Sequence, residues 1–279
     1  SSIVLNGSDV LQWQDKSGKG NHFGQATGAK QPLYATASNE FAPRSGIRLD
    51  DSTQTYLTAS STTDLATFEG GAENTTIFLA FNQYDTGISA YYIIYGLGRT
   101  SPSTAGSNSH VVWGRTDNDD LYFNVDGTTE MTLTWPTPGF GNTIFTSILN
   151  ADGSKLRISG SQVGSDSTTA TSLNGTGVHL IGYAHSGGYS SAIEYAEMIV
   201  YNRSLTDAEM TTVETYLQNK WDITVATQSA DPVLNTNNTY DVPTPPSLDF
   251  VAGTDAYTVF VAHQQNSGSG YDTLIGSGP

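Results

Sequence analysis

Short runs of apolar and aromatic residues, separated by small polar ones, recur along most of this chain. Thr75–Asn82, Ala90–Leu97, His110–Arg115, Asp120–Val125, Thr143–Leu149, Lys155–Ser159, Val178–Tyr183 and Tyr195–Tyr201 are rich in β-branched or aromatic residues. Each is bounded by Gly, Asn, Asp or Ser. Their length and spacing predict strands. Two turns stand out: Asn150-Ala-Asp-Gly153 between Thr143–Leu149 and Lys155–Ser159, and Val125-Asp-Gly127 after Asp120–Val125, where Asp-Gly supplies the positive φ of a tight hairpin. Runs of this kind without intervening helices predict an all-β, antiparallel two-sheet sandwich.

One segment keeps a different period. Thr206 followed by Glu209 has the form of a capping box, and Met210, Val213, Leu217 and Trp221 then recur at helical spacing. A helix over Asp207–Lys220 is expected, with this stripe packed on the sandwich edge rather than open to a partner. Beyond it, Asn235-Thr-Asn-Asn238 and Pro243, Pro245 and Pro246 read as a linker. The C-terminal stretch is an internal repeat. Phe68–Phe81 aligns without gaps with Phe250–His263, and Ile93-Ile-Tyr-Gly96 answers Thr273-Leu-Ile-Gly276. The expected organisation is therefore a sandwich over 1–224, a linker over 225–247, and an incomplete second copy over 248–279. Its open edges imply either a chain cut from a longer one or strand complementation by another chain.

Composition narrows the function. Lys+Arg 11 against Asp+Glu 27 leaves a net charge of −16, which repels nucleic-acid phosphates and anionic lipid, so neither is an expected partner. Membrane insertion is not expected either, because no run approaches the length of a membrane span. With no cysteine there are no disulfides, thiol nucleophiles or cysteine-bound zinc. The Ser, Thr, Asn and Gly stretches suit a secreted or particle-surface protein.

Two stretches carry a family likeness. Val10-Leu-Gln-Trp-Gln-Asp-Lys-Ser-Gly-Lys-Gly-Asn-His22 resembles the opening of laminin-G-like, concanavalin A-like jelly-roll domains. Ala196-Glu-Met-Ile-Val-Tyr-Asn-Arg-Ser-Leu-Thr-Asp-Ala-Glu209, with Tyr216-Leu217 and Lys220-Trp221, resembles their closure. The strand that precedes the opening motif in the family is not recognisable here. The resemblance implies a two-sheet jelly roll used in glycan binding or adhesion, as in surface proteins, accessory domains of polysaccharide-degrading enzymes, and phage fibres.

Three kinds of chemistry are candidates. Hydrolysis of glycans by paired carboxylates would need two acids flanking one bond. Glu194 and Glu197 form the comparable pair, and strict strand alternation would point them to opposite faces. The histidines are scattered and no nucleophile elbow occurs, so a non-catalytic chain is expected. For metal, Asp15 and Asn21 lie in a glycine-rich loop offering oxygens of the kind calcium prefers, and the resemblance adds Glu197 as a third ligand. Turn chemistry explains Asp15 and Asn21 equally well. For glycan contact, His110, Trp113, Arg115, Tyr122 and Trp135 are the candidate platform and hydrogen-bonders. The expected partners are glycans or neighbouring surface or virion subunits. The competing reading is a structural repeat of a phage fibre or cell-surface filament, held by protein–protein contacts.

Overall fold

The computed structural model describes residues 2–36, 40–50, 55–60, 74–84, 91–99, 110–115, 120–125, 128–134, 141–150, 153–167, 178–184, 192–223 and 257–261. They form seventeen strands, a 3-10 turn and one helix. The N-terminal strands are short: β1 (Ile3–Asn6), β2 (Asp9–Trp13), β3 (Phe23–Gly24), β4 (Leu33–Ala35), β5 (Gly46–Arg48) and β6 (Leu57–Ser60). The long ones come next: β7 (Thr75–Gln83), β8 (Tyr91–Arg99), β9 (His110–Arg115), β10 (Asp120–Val125), β11 (Thr128–Thr134), β12 (Gly141–Asn150), β13 (Gly153–Ile158), β14 (Ser161–Asp166), β15 (Val178–Ala184) and β16 (Ile193–Tyr201). Helix α1 (Asp207–Trp221) and β17 (Tyr257–Val261) complete the set.

All pairings are antiparallel, and the result is a jelly-roll sandwich. One sheet runs β14-β13-β12-β7-β16, and β16 then pairs with β5. The other runs β11-β10-β9-β8-β15-β6. The short strands β2, β3 and β4 link the two at one side. Between the sheets lies the main core, which includes Trp13, Phe23, Phe81, Tyr95, Phe123, Phe145 and Tyr195. Removing this apolar surface from water is the chief source of stability. A strand does precede the opening motif: β1 pairs with β2 from Ile3↔Trp13 to Asn6↔Asp9, around Gly7.

Every residue of β7 and of β16 is buried. One face of these strands meets the main core and the other is covered by α1. The capping box is formed as the sequence predicts, with Thr206 Oγ1 accepting from the Glu209 amide and the Glu209 carboxylate accepting from the Thr206 amide. Arg203 and the Thr206 amide pull the Glu209 carboxyl down to about 2. Met210, Val213, Leu217 and Trp221 pack on Phe78, Ala80, Ile144, Ile148 and Ile199, forming a second apolar cluster. The stripe is thus a docking face within the domain. At the far edge of this sheet β14 is polar and bulged against β13.

The hairpins predicted at Asp-Gly join strands that do pair, Val125↔Thr128 and Asn150↔Gly153, although 126–127 and 151–152 lie outside the described residues. So do the linker 225–247 and all of the second copy except β17. No helix among the described residues is long and apolar enough to cross a membrane.

The packing of β15 generates two fold-level predictions. Gly182 has φ +66°, and a Cβ there would lie 1.9 Å from Leu49 Cδ1 in the core. Gly182→Ala should cost about 2–4 kcal/mol from strain and overpacking, read as a lowered urea midpoint. His179 pairs with Ala59 of β6 and is buried, which pushes its pKa down to about 4. An unfolded histidine titrates near 6.5, so the unfolded state takes up the proton first as pH falls. Its contribution is intact above that pH and is lost toward pH 4, by up to about 3 kcal/mol. Urea melts across this range should show the loss, and His179→Gln should flatten it.

Candidate functional site

The surface opposite α1 is the outer face of the β11–β6 sheet, and its register can be traced strand by strand. Thr58 pairs with Leu180, Leu180 with Gly96, Gly96 with Val111, and Val111 with Asn124. Next to this row, Ile93 lies opposite Trp113 and Trp113 opposite Tyr122. Phe123, one residue on, is buried in the main core, so Tyr122 belongs to the outward register. The sequence candidates Trp113, Arg115 and Tyr122 therefore occupy positions on one face, with Arg115 opposite Asp120 and Tyr91. His110 does not join them. It lies opposite Leu97, a core residue, on the inward register. Trp135 lies outside the described residues. The face is not evenly open: Leu180 and Ile93 are fully buried, while Tyr122 and Thr58 are half-buried.

At the β6 side of the same face is a shallow cleft of about 460 Å³. Its polar walls are Gln12, His22, Gln25 and Thr58, and its apolar ones include Val4 and Leu11. The opening motif builds it. His22 Nδ1 accepts the backbone amide of Asp15 at 3.0 Å, so the ring proton is on Nε2. Thr58 Oγ1 donates to Gly24 O, and Gln25 Oε1 accepts from the Thr27 amide. The wall carries hydrogen-bonding groups and no carboxylate or ammonium. Sequence reasoning passed over this cleft, because Gln12, His22 and Thr58 come together only through the β2-β3-β6 pairing.

Of the three metal candidates, Asp15 and Asn21 share one loop and a hydrogen bond, whereas Glu197 is held by other partners. Asp15 is buried and caps its own loop: Oδ1 accepts from the Ser17 amide at 2.8 Å, and Oδ2 from Ser17 Oγ at 2.8 Å and the Asn21 amide at 3.1 Å. This is the turn chemistry of the alternative reading. Glu197 serves α1 instead. Its Oε2 accepts from Trp221 Nε1 at 2.6 Å and faces Lys220 Nζ at 3.0 Å, and its Oε1 accepts from Tyr216 Oη at 3.3 Å. Burial and this neighbouring carboxylate push the Tyr216 phenol up. Among the described residues no three His, Cys, Asp or Glu side chains gather as an ion site.

The carboxylate pair needs a correction. The register of β16 against β7 shifts between Tyr195↔Phe81 and Glu197↔Ala80, so a bulge falls at Ala196. Alternation is broken there, and Glu194 and Glu197 both lie on the face that carries α1. Each is sealed and paired. Arg48 Nε and Nη2 reach Glu194 Oε2 at 3.0 and 2.8 Å, and the Arg48 guanidinium stacks 4.5 Å over Tyr84. Burial raises the Glu194 pKa against the pull of Arg48. A Cβ on Gly46 would sit 2.3 Å from Glu194 Oε1, so the glycine makes room for this acid. A third buried acid, Glu214 of α1, accepts from Thr146 Oγ1 and from Arg157 Nε and Nη2 at 2.8–2.9 Å.

No protein-family model matches the chain, and no curated protein does. Solved structures do match it. Trypanosoma rangeli sialidase in complex with sialic acid aligns with a TM-score of 0.55 and 13% identity, over 78% of this chain and 32% of that one. A mutant of the same sialidase displaying trans-sialidase activity aligns with a TM-score of 0.51 and 13% identity, over 80% and 33%. The chain thus spans about a third of these sialidases' length. At such identity the likeness shows the fold alone, an antiparallel two-sheet β-sandwich. It also overturns the expectation of a non-catalytic chain, because this fold is one that enzyme chains carry. That expectation leaned on the alternation of Glu194 and Glu197, which the bulge removes.

The anchoring of α1 gives a direct test. Glu197→Gln leaves the Lys220 ammonium unpaired against a buried amide, and should cost about 3 kcal/mol in urea unfolding. Trp221→Phe, which removes one donor and keeps most of the packing, should cost about 1–2 kcal/mol. Equal, negligible losses would show that α1 docks by its apolar stripe alone.

Proposed function

We propose that this chain is a glycan-binding sandwich within a larger carbohydrate-active protein that works outside the cell or on a particle surface. The observation that carries the reading is the outer face of the β11–β6 sheet. It brings the Trp113, Arg115 and Tyr122 positions into adjacent places and ends at a cleft lined by neutral hydrogen-bonding groups. Sugars are bound in this way, by aromatic faces under the ring and amide or imidazole groups at its hydroxyls. The sialidase-like fold supports a carbohydrate partner in general. The charge of −16 favours neutral glycans over sialylated ones, since an anionic sugar would approach against the protein's field. Calcium belongs to this proposal only through the Asp15 loop, where the ion would displace the hydrogen bonds from Ser17 and Asn21.

Screening against neutral and sialylated glycans tests the reading. Neutral hits are expected, with Trp113→Ala weakening them about tenfold or more, a change of roughly 1.4 kcal/mol. His22→Ala should weaken ligands seated in the cleft. Binding that survives both substitutions would place the sugar elsewhere.

A further inference from the structure

The strand β16 is flanked on both sides by versions of one sequence. On one edge is β7, whose Thr76-Ile-Phe-Leu79 pairs along it from Tyr201 to Met198. On the other edge the first partner is β5, but only at Glu194↔Arg48 and Tyr195↔Ile47. Past the bulge at Ala196 the edge passes to β17, which pairs from Glu197↔Val261 through Ile199↔Val259 to Tyr201↔Tyr257. In the gap-free repeat, Tyr257-Thr-Val-Phe-Val261 is the counterpart of Thr75–Leu79. The edge therefore receives the kind of segment that β16 already pairs with as a neighbour. An edge strand offers a row of backbone donors and acceptors, and a β-branched, aromatic segment of matching length fits it.

We propose that the Glu197–Tyr201 edge of β16 is a strand-acceptor site, and that the Tyr257–Val261 segment of a second copy of this chain can fill it in exchange for the chain's own. The joining stretch permits this. From Trp221 to Tyr257 the chain has enough residues to span on the order of 100 Å when extended, so the segment can reach a neighbouring molecule. The same tether keeps the chain's own segment at a high local concentration, so the intramolecular pairing prevails in dilute solution and exchange grows with protein concentration. The binding mode is strand addition, in which main-chain hydrogen bonds give the affinity. This inference stands apart from glycan binding: the acceptor edge belongs to the helix-bearing sheet, and the sugar face to the other.

Because the chain lacks cysteine, paired substitutions report the contact directly. Val200→Cys with Thr258→Cys, and Ile199→Cys with Val259→Cys, sample two adjacent rungs of the ladder. Full-length double variants should form intrachain disulfides on oxidation when dilute. A mixture of two differently tagged single-cysteine chains, one with Val200→Cys and one with Thr258→Cys, should give mixed disulfide dimers that increase with concentration. In the otherwise unaltered chain, Thr258→Pro together with Val259→Pro removes a ladder donor, since one of two successive amides faces β16, and should speed exchange of β16 amides about tenfold or more. Unchanged β16 protection in the chain carrying both Thr258→Pro and Val259→Pro would overturn the acceptor site. Intrachain disulfides without any mixed dimers at high concentration would overturn the exchange.

Discussion

The bulge at Ala196 is the constraint on which the rest of the helix-bearing sheet depends. Without it, strict alternation would turn the Glu197 side chain into the apolar main core, where its carboxylate would have no partner. With the extra residue, Ile193 and Tyr195 face the core before it and Met198 and Val200 after it, while Ala196 and Glu197 both face α1. One added residue thus lets a strand with two acids stay apolar on its inner side and chemically specific on its outer side. The same point marks where β16 exchanges β5 for β17 as its neighbour.

The layer beneath α1 is held by more than apolar packing. Met210, Val213, Leu217 and Trp221 would tolerate a helix displaced along its axis, since apolar contact is non-directional. The charges would not. Glu214 sits over Arg157 and Thr146, and Lys220 and Trp221 over Glu197. Shifting the helix by one turn would leave buried acids and a cation unmatched, at a cost far above that of a few lost van der Waals contacts. These pairs therefore select one docking position. The capping box does related work at the helix start, fixing where the first turn begins.

How much of this was legible in the sequence depended on the length of each element. The strands β7 to β10, β12, β13, β15 and β16 were readable from apolar runs, and α1 from its cap and stripe. The strands β3, β4 and β5 have two or three residues each, too few to display a period of two. The strands β11 and β14 are rich in Thr, Ser and Gln, so their composition reads as loop. On the outer face of the β11–β6 sheet, strict alternation holds along the regular strand β9, which sets the Trp113 and Arg115 positions apart from His110. The same rule failed at Glu194 and Glu197, because a bulge has no signature in a single sequence. The cleft beside His22 depends on pairings distant in the chain, which local pattern does not encode.

The two margins of the helix-bearing sheet differ in kind. At β14 the ladder ends in a bulged strand of Ser161-Gln-Val-Gly-Ser-Asp166, whose irregular spacing and terminal acid give an incoming strand no continuous register to extend. At β16 the margin is regular and apolar, and it carries a partner. A sheet built in this way takes a strand at one side and is closed at the other. Any array of such sandwiches would then have a direction, with each unit presenting a receptive margin to one neighbour and a closed margin to the next.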